Sequence, residues 1–353
     1  MTIPTVTVLM AVYNGEAFLR PTIESVLNQT FKDFEFVIID DASTDATSRI
    51  IESYKDSRIV LHHNDRNMGQ TKSLNVGLNL AMGKYVARTD AGDISLHNRL
   101  FEQVRFVDSK PQISLLGTSA FRYNRNGKII DVVHMPISYK VILQRIFFAS
   151  PVVHVSALIK LEAILHFGGY DEDFDVLADY ELWSKLLKNG YRISNLKQVL
   201  AGYMISPDSL GSKNTFGKSY TEACKIIQSN VHRFAGLSIS LEQAANIHRF
   251  FNLDMYKMSI ETIDQTEKLF IKILTQIGAS RNDMNYFLMR KYASHVFYNI
   301  GKHRDKLKFK HSIYSIFRKK NYIFSLLRLS ENLIRFCQSL IWRAKRQAIR
   351  FDF

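Results

Sequence analysis

Cysteine is scarce in this 353-residue chain, which contains only Cys224 and Cys337. Two cysteines are too few for a disulfide framework and show no metal-ligand spacing, so a reducing compartment fits best. Long apolar runs are missing as well, because the longest charge-free apolar segment, residues 146–159, is shorter than the roughly 18 to 20 residues of a spanning helix. The first residues lack the cationic segment of a signal peptide. We therefore expect a cytosolic protein that contacts a membrane, if at all, from its inner face.

Two glycine motifs that bind phosphate are also absent. No G-x-G-x-x-G follows the first predicted strand, and no G-x-x-x-x-G-K-[ST] occurs anywhere in the chain. The dinucleotide fingerprint and the P-loop are therefore excluded. With 46% hydrophobic and 23% charged residues, the composition is that of an ordinary globular protein and argues against a disordered chain.

The net charge of +14 is concentrated at the C-terminal end, where residues 301–353 hold 14 Lys or Arg against three acidic residues. Apolar residues recur there at helical spacing, with arginines along another face. This pattern fits a helix on an anionic membrane surface through residues 305–350, or equally a helical subdomain packed on a catalytic domain. Nucleic-acid binding ranks last because no recognised motif accompanies the charge, and we expect none.

The order of elements predicts an α/β fold with a doubly wound, mostly parallel sheet. β-branched and apolar runs at residues 5–12, 34–39, 59–62 and 84–88 read as strands, and helical patterns separate them. Ligands of such sheets bind beyond the carboxyl ends of the strands. Beyond about residue 215 the pattern is nearly all helical, which predicts a catalytic domain at 1–213 and a basic helical region at 214–353.

Acidic residues stand at the ends of two predicted strands, as Asp40 and Asp41 and as Asp90 and Asp93. Carboxylates that face one another in a cleft repel, and a divalent cation, or a ligand that donates hydrogen bonds to them, resolves the repulsion. Mg²⁺ or Mn²⁺ held in this way usually completes its shell with water and phosphates, which predicts a nucleotide diphosphate as the ligand. Each residue alone is better explained as a helix cap or turn former, but their occurrence as a set at successive strand ends favours the ligand site.

Asp179 begins a predicted helix after the acidic segment GGYDEDF. The helix dipole would stabilise its ionised form there, as a general base requires. The alternative interpretation is a simple N-cap for the helix that follows.

Five segments together resemble the inverting family 2 glycosyltransferases, in the same order and at similar spacings. They are VTVLMAVYNGE, FVIIDDASTD, NMGQTKSLNVGLNLAMGKYVARTDAGD, SPVVHVSALI and GGYDEDFDVLADYELWSKL, and they lie within residues 4–205. The resemblance implies the A-type nucleotide-diphospho-sugar transferase fold, which is Rossmann-like.

The resemblance also implies roles for individual residues on the donor side. Asp41 would hydrogen-bond the uracil with Asp40 beside it, Ala11, Val12 and Tyr13 would line the base pocket, and Lys72 could reach the nucleotide. The segment Asp90-Ala91-Gly92-Asp93 resembles the donor-binding and metal-binding D-x-D motif. Gly92 replaces a carboxylate that commonly meets the metal, which leaves Asp90 and Asp93 to hold Mn²⁺ or Mg²⁺, with help from His154 or through water.

By the same resemblance, Asp179 is the catalytic base that takes the proton of the acceptor hydroxyl. His154, Tyr180 and Trp183 are candidates for the acceptor side of the cleft, although a Trp at helical spacing from leucines and a His in an apolar segment are more often core residues. The expected function is the transfer of a sugar, from UDP-hexose or UDP-N-acetylhexosamine, to a growing surface glycan such as O-antigen or capsule, free or lipid-linked.

Two alternatives remain. One is a non-catalytic nucleotide-sugar-binding or scaffold protein at the membrane surface, in which Gly92 marks a lost metal site. The other is a nucleotidyltransferase, which the missing glycine-rich basic loop disfavours.

Overall fold

Four parallel strands form the N-terminal half of a nine-stranded sheet in the computed structural model, which describes residues 3–205, 217–251 and 258–279. The strands are β1 (Val6–Val12), β2 (Phe34–Asp40), β3 (Ile59–His63) and β4 (Tyr85–Arg88). They lie in the order β3-β2-β1-β4, and every residue of β1 and β2 is buried. Continuous apolar runs such as FEFVII suit this position, because helices cover both faces of a parallel sheet.

Short helices connect these strands, as the sequence predicts. They are α1 (Leu19–Leu27), α2 (Thr47–Glu52) and α3 (Gln70–Leu80). The apolar stripe of α1 is buried at Leu19, Ile23 and Val26, and that of α3 at Leu74 and Leu78. The predicted α/β class and its Rossmann-like arrangement are therefore confirmed.

The second half of the sheet is mixed. It consists of β5 (Ile94–Ser95), β6 (Ile113–Tyr123), β7 (Ile129–Val133), β8 (Leu158–Lys160) and β9 (Arg192–Met204). The strands continue from β4 in the order β8-β6-β9-β5, and β7 forms a hairpin with β6. Strand β8 is antiparallel to β4, whereas β6 and β9 are parallel.

The remaining helices follow in chain order. They are α4 (Arg99–Ser109), α5 (Tyr139–Arg145), α6 (Leu161–Leu165), α7 (Ala178–Lys188), α8 (Lys218–Ala235), α9 (Leu241–Phe251) and α10 (Ile260–Gln276). A 3-10 turn occupies His154–Ser156. Helix α7 carries Asp179, and its Leu182, Trp183 and Leu186 are completely buried.

Residues Met1–Asn252 and Gln265–Ala279 form one compact unit, and a second unit is described only at residues 258–264. The predicted boundary between residues 213 and 214 lies outside the described residues. Helix α8, which that prediction assigns to the C-terminal region, belongs to the same unit as β1–β9. The basic segment 305–350 also lies outside the described residues. Within the described part of the chain, no helix has the length and apolar character needed to cross a membrane.

Candidate active site

The carboxyl ends of β1 and β2 are joined directly to each other. The Asp41 N–H donates to the Val12 carbonyl over 2.8 Å, and the Asn14 side chain accepts from the Thr44 N–H over 2.8 Å. Asn14 has a left-handed backbone with φ 49°, a conformation that asparagine tolerates well. Ala11 and Val12 are buried, whereas Tyr13 is 49% exposed. Of the three predicted base-pocket residues, Tyr13 therefore offers an accessible side chain.

Asp40 is fully engaged inside the protein. Its carboxylate accepts hydrogen bonds from the Ser43 N–H, at 3.0 Å, and from the Ser48 hydroxyl, and His63 Nδ1 lies 3.3 Å from it. The residue is 1% exposed. Through these contacts Asp40 stabilises the turn between β2 and α2, next to Asp41, the residue predicted to bind the base.

Asp41 fixes the loop that leads into α3. Its carboxylate accepts from Asn64 Nδ2 at 2.8 Å and from the N–H groups of Met68 and Gly69, each at 2.9 Å. Gly69 has φ 89°, which glycine adopts without strain, and helix α3 starts immediately after it. A carboxylate offers about four acceptor positions, of which these donors take three, and Asp41 is 3% exposed.

Helix α3 brings a residue to the site that sequence reasoning missed. Gln70, the first residue of the helix, donates from Nε2 to Asp90 Oδ1 over 2.9 Å. Lys72, which was predicted to reach the nucleotide, has a side chain that is 52% exposed, and its Nζ lies 3.9 Å from Glu172. A polar residue directly after the Asn-Met-Gly turn was the available signal for Gln70.

Arg88 is the central cation of the site, and sequence reasoning missed it as well. Its guanidinium donates to Asp90 Oδ1 at 2.6 Å, to the carbonyls of Leu9 at 2.6 Å and Thr89 at 2.8 Å, and to His154 Nε2 at 3.1 Å. The side chain is completely buried. A charged residue at the end of an otherwise apolar strand was the signal, because a buried arginine needs such a set of partners.

The two carboxyls of the D-x-D-like turn differ in environment. Burial would raise the pKa of Asp90, but the charge and hydrogen bond of Arg88, together with His154 and Gln70, hold that pKa below its ordinary value. Burial and the charge of Asp90 raise the pKa of Asp93 well above its ordinary value. Asp93 closes the turn by accepting the Asp90 N–H over 3.1 Å and is 7% exposed, whereas the Asp90 side chain is 26% exposed. Asp90 is thus the open, ionised carboxylate of the turn.

Gly92 occupies the turn with φ 94°, in the region that favours glycine. Its N–H donates to Thr22 Oγ1 over 2.9 Å, and its carbonyl accepts the Tyr123 hydroxyl. A Cβ at this position would lie 2.9 Å from Met204 Cε. The departure from the family motif at this position therefore coincides with a backbone that disfavours a side chain.

The donor set of this turn meets part of what a divalent cation requires. Within residues 3–205, 217–251 and 258–279, no group of three or more His, Cys, Asp or Glu side chains is arranged to hold a metal. Asp90 supplies one ionised oxygen ligand, which fits a cation that takes the rest of its shell from a diphosphate and water. The buried Asp93 does not add a second open carboxylate, so the expectation that Asp90 and Asp93 share the ion is not favoured by this geometry.

His154 supports Arg88. Its Nε2 receives the Arg88 Nε–H at 3.1 Å and lies 2.9 Å from the Tyr170 hydroxyl. Burial and the Arg88 charge lower the pKa of His154 to about 3, so the imidazole is neutral and Nε2 can accept. Tyr170, which is 3% exposed, belongs to the segment before Asp179 and was not predicted as a site residue.

Asp179 lies at the start of α7, close enough to Arg88 and Asp90 for both charges to influence it. Burial raises the pKa of Asp179 to about 7, and Asp90 acts in the same direction. The Tyr180 N–H and Arg88 act in the opposite direction. The result is a partly buried carboxyl that titrates near neutral pH, the property expected of a general base.

Tyr180 and Trp183, predicted as acceptor-side candidates, are core residues. Their exposed fractions are 2% and 0%, and the Tyr180 hydroxyl donates to the Ile146 carbonyl over 2.6 Å. The Trp183 ring lies 6.2 Å from the His154 ring. The alternative interpretation of the sequence, in which both aromatic residues pack in the interior, matches this placement.

Comparison with known proteins identifies similar chains. The family described as Glycosyl transferase family 2 matches residues 7–157. An uncharacterised glycosyltransferase of Methanocaldococcus jannaschii is 36% identical over 207 residues, which are 57% of this chain and 71% of that protein. The Escherichia coli enzyme WfaP, a UDP-Glc:alpha-D-GlcNAc-diphosphoundecaprenol beta-1,3-glucosyltransferase, is 30% identical over 66% of this chain and 87% of its own length. AmsE of Erwinia amylovora, an amylovoran biosynthesis glycosyltransferase, is 26% identical over 58% of this chain and 78% of its own.

Solved structures show the same fold. TarS residues 1–349 of S. aureus, in a crystal with UDP-GlcNAc, superimposes with a TM-score of 0.56. The match covers 76% of this chain and 81% of that one, at 19% sequence identity. At this identity the likeness concerns the fold alone.

Proposed function

The chain belongs to glycosyltransferase family 2, and from that premise we propose that it transfers a hexosyl or N-acetylhexosaminyl group from a UDP-sugar to a surface glycan, with inversion. The observation that carries the proposal is a pair of carboxyls, beside one buried arginine, whose pKa values are shifted in opposite directions. Asp90 is held ionised by Arg88, whereas the pKa of Asp179 is raised to about 7. Environments that shift the pKa values of two carboxyls in opposite directions suit the two groups to different catalytic roles.

Asp179 acts as the base in this proposal. It accepts the proton of an acceptor hydroxyl while that oxygen forms a bond to the anomeric carbon of the donor sugar. The bond between that carbon and the diphosphate oxygen breaks with departure of the nucleoside diphosphate, and attack from the opposite face inverts the anomeric configuration. The oxocarbenium-like transition state resembles that of glycoside hydrolysis.

The donor binds along the carboxyl ends of β1, β2 and β4. Asp41 offers its remaining acceptor position to the base, and Tyr13 offers the accessible ring beside it. Asp90 would hold a divalent cation, which would neutralise charge on the departing diphosphate. Arg88 keeps Asp90 ionised for that purpose, and Gln70 fixes its orientation.

Relatives support the choice of acceptor. WfaP carries a lipid diphosphate in its acceptor name, and AmsE is named for amylovoran biosynthesis. We propose an acceptor of the same kind, a glycan or lipid-linked glycan. The role of segment 305–350 at an anionic membrane stays a prediction, since that segment lies outside the described residues.

The test is release of nucleoside diphosphate by the pure protein from a panel of UDP-, GDP- and dTDP-sugars, with Mn²⁺, Mg²⁺ or EDTA, and with a diphospholipid-linked N-acetylhexosamine as acceptor. Asp179→Asn should abolish turnover and keep donor binding. The matched control is Asp173→Asn, which removes an exposed carboxylate from the same acidic segment and should turn over normally. Donor binding without release in any combination would favour the scaffold alternative, and absence of donor binding would reject both.

A further inference from the structure

Helix α7 begins without a side-chain cap of its own. Its N-cap residue is Leu177, which has no side chain able to accept the free N–H groups of the first turn. Asp179 is the second residue of this helix, so any shift of the helix start moves the carboxyl proposed as the base. The contacts of the segment that leads into the helix therefore bear on the position of that carboxyl.

Glu222 of helix α8 holds the segment that leads into α7, including its N-cap residue Leu177. Its carboxylate accepts hydrogen bonds from the N–H groups of Asp175 and Val176, each at 3.1 Å, and of Leu177, at 2.8 Å. Glu222 is 4% exposed. Charged hydrogen bonds of this kind are about twice as strong as neutral ones, and an anion near a helix N-terminus is further stabilised by the dipole.

Helix α8 contacts α7 directly at one further residue and shares a hydrogen-bond acceptor with it at another. Asn230 Nδ2 donates to the Ile146 carbonyl over 2.8 Å, and that carbonyl also accepts the Tyr180 hydroxyl. Arg233 donates to Glu181 over 3.1 Å. Positions 222, 230 and 233 share a helix face at this spacing. The residues on both sides of Asp179 are thus held by α8.

The other side of the acidic segment is held by α3, the helix that carries Gln70. Asn75 donates to the Tyr170 carbonyl over 2.9 Å and accepts the Tyr170 N–H over 2.8 Å. Thr71 donates to the Phe174 carbonyl over 2.9 Å. The segment that leads to Asp179 is therefore fixed at its start by α3 and at its end by Glu222.

We infer that Glu222 is a positioning residue for the base: it lies outside the residues that match the family motifs, touches no reacting atom, and sets the place of Asp179 by anchoring residues 175–177. This inference rests on the proposed function. It extends the catalytic apparatus into the helix after residue 213, where the sequence alone predicts a separate region.

The test compares Glu222→Gln with two controls in the full-length protein. The glutamine keeps the side-chain length, but its carbonyl oxygen can replace only one of the two carboxylate oxygens. Its N–H₂ group therefore faces either the Asp175 N–H or the N–H groups of Val176 and Leu177. Glu242→Gln removes an exposed carboxylate from the next helix. Ile227→Ala opens a cavity on the same helix, since Ile227 is completely buried, and position 227 lies about 140° around the helix from Glu222.

We expect Glu222→Gln to lower kcat by tenfold to a hundredfold, roughly the effect of misplacing a catalytic group by about 1 Å, with the donor KM unchanged. Ile227→Ala should lower the melting temperature while keeping kcat near that of the unmodified protein, when both are assayed well below their melting temperatures. Equal losses of kcat in these two variants, or an unchanged kcat in Glu222→Gln, would overturn the inference.

Hydrogen exchange separates this inference from the proposed function. The amides of Asp175, Val176 and Leu177 should exchange faster in Glu222→Gln and at the normal rate in Glu242→Gln. This measurement needs no substrate. Unchanged exchange at those amides would refute the anchoring by Glu222 even if the enzyme is active, and an inactive parent protein with faster exchange in the variant would reject only the catalytic proposal.

Discussion

Replacing Arg88 by methionine should be the most damaging single change in the donor site. Methionine has a similar length and no donors, so four hydrogen bonds disappear, to Asp90, Leu9, Thr89 and His154. Among the residues that the structure describes, the loss leaves the Asp90 carboxylate with Gln70 as its side-chain donor.

The magnitude follows from burial. Breaking a buried ion pair by removing one partner costs about 3–5 kcal/mol of unfolding free energy. Asp90 is 26% exposed, which moves the expectation to the lower end of that range. The Leu9 carbonyl keeps a second donor, the Thr89 N–H at 3.2 Å, so loss of the hydrogen bond from Arg88 to Leu9 adds little to the cost. We expect a destabilisation of about 3 kcal/mol.

Urea unfolding followed by tryptophan fluorescence measures this directly. The chain has two tryptophans, and a Trp342→Phe background leaves Trp183, which lies 6.2 Å from the His154 ring, as the reporter of this region. Arg105→Met is the control, because that side chain is 66% exposed in its ion pair with Glu102 and should cost less than about 1 kcal/mol.

A second substitution isolates the unpaired charge. Adding Asp90→Asn to Arg88→Met should recover at least about 1 kcal/mol, because the amide is cheaper to leave without its cation. If Arg88→Met costs no more than Arg105→Met, the view of Arg88 as the electrostatic centre of the site is refuted.

Three further predictions concern the same edge of the sheet. A raised pKa of about 7 means that Asp179 ionises as pH rises through neutrality, so kcat/KM should increase between pH 6 and 8 in a pH-rate profile. The free energy of unfolding should fall as pH rises from 3.8 to about 7, because the folded state binds the extra proton over that interval. Gly92→Asp should lower the free energy of unfolding by about 1–2 kcal/mol, because φ is 94° and a side chain would contact Met204. The same variant should not increase the affinity for Mn²⁺. Gly127→Asp is the control that measures the backbone cost alone, because φ is 75° there and no atom lies within 4 Å of an added Cβ. Asp41→Asn should weaken UDP binding about tenfold in calorimetry, since a charged acceptor is replaced by a neutral one, and unchanged affinity would exclude Asp41 from the base pocket.

The sequence by itself determined the parallel half of the sheet. Runs such as FEFVII bury both faces of a strand, and the Asp, Asn and Gly residues after them form turns, so local patterns indicate both the elements and their order. The carboxyl ends of parallel strands share one edge, so the order of strands alone was enough to group Asp40, Asp41 and Asp90. The motifs around these residues are local as well, so the sequence alone was enough to predict the family.

Tertiary structure decided which of these residues are open to a ligand. Asp90 and Asp93 lie in the same turn of the sequence, yet the Asp90 carboxylate pairs with Arg88 whereas the Asp93 carboxylate accepts the Asp90 N–H. Trp183 and Tyr180 became core residues once α7 packed into the interior. The strands β8 and β9 join the sheet through pairings between distant residues, which leave no local pattern. Glu222 reaches residues 175–177 across 45 or more positions of the chain, and only packing of α8 against α7 brings that carboxylate to the start of the helix that carries Asp179.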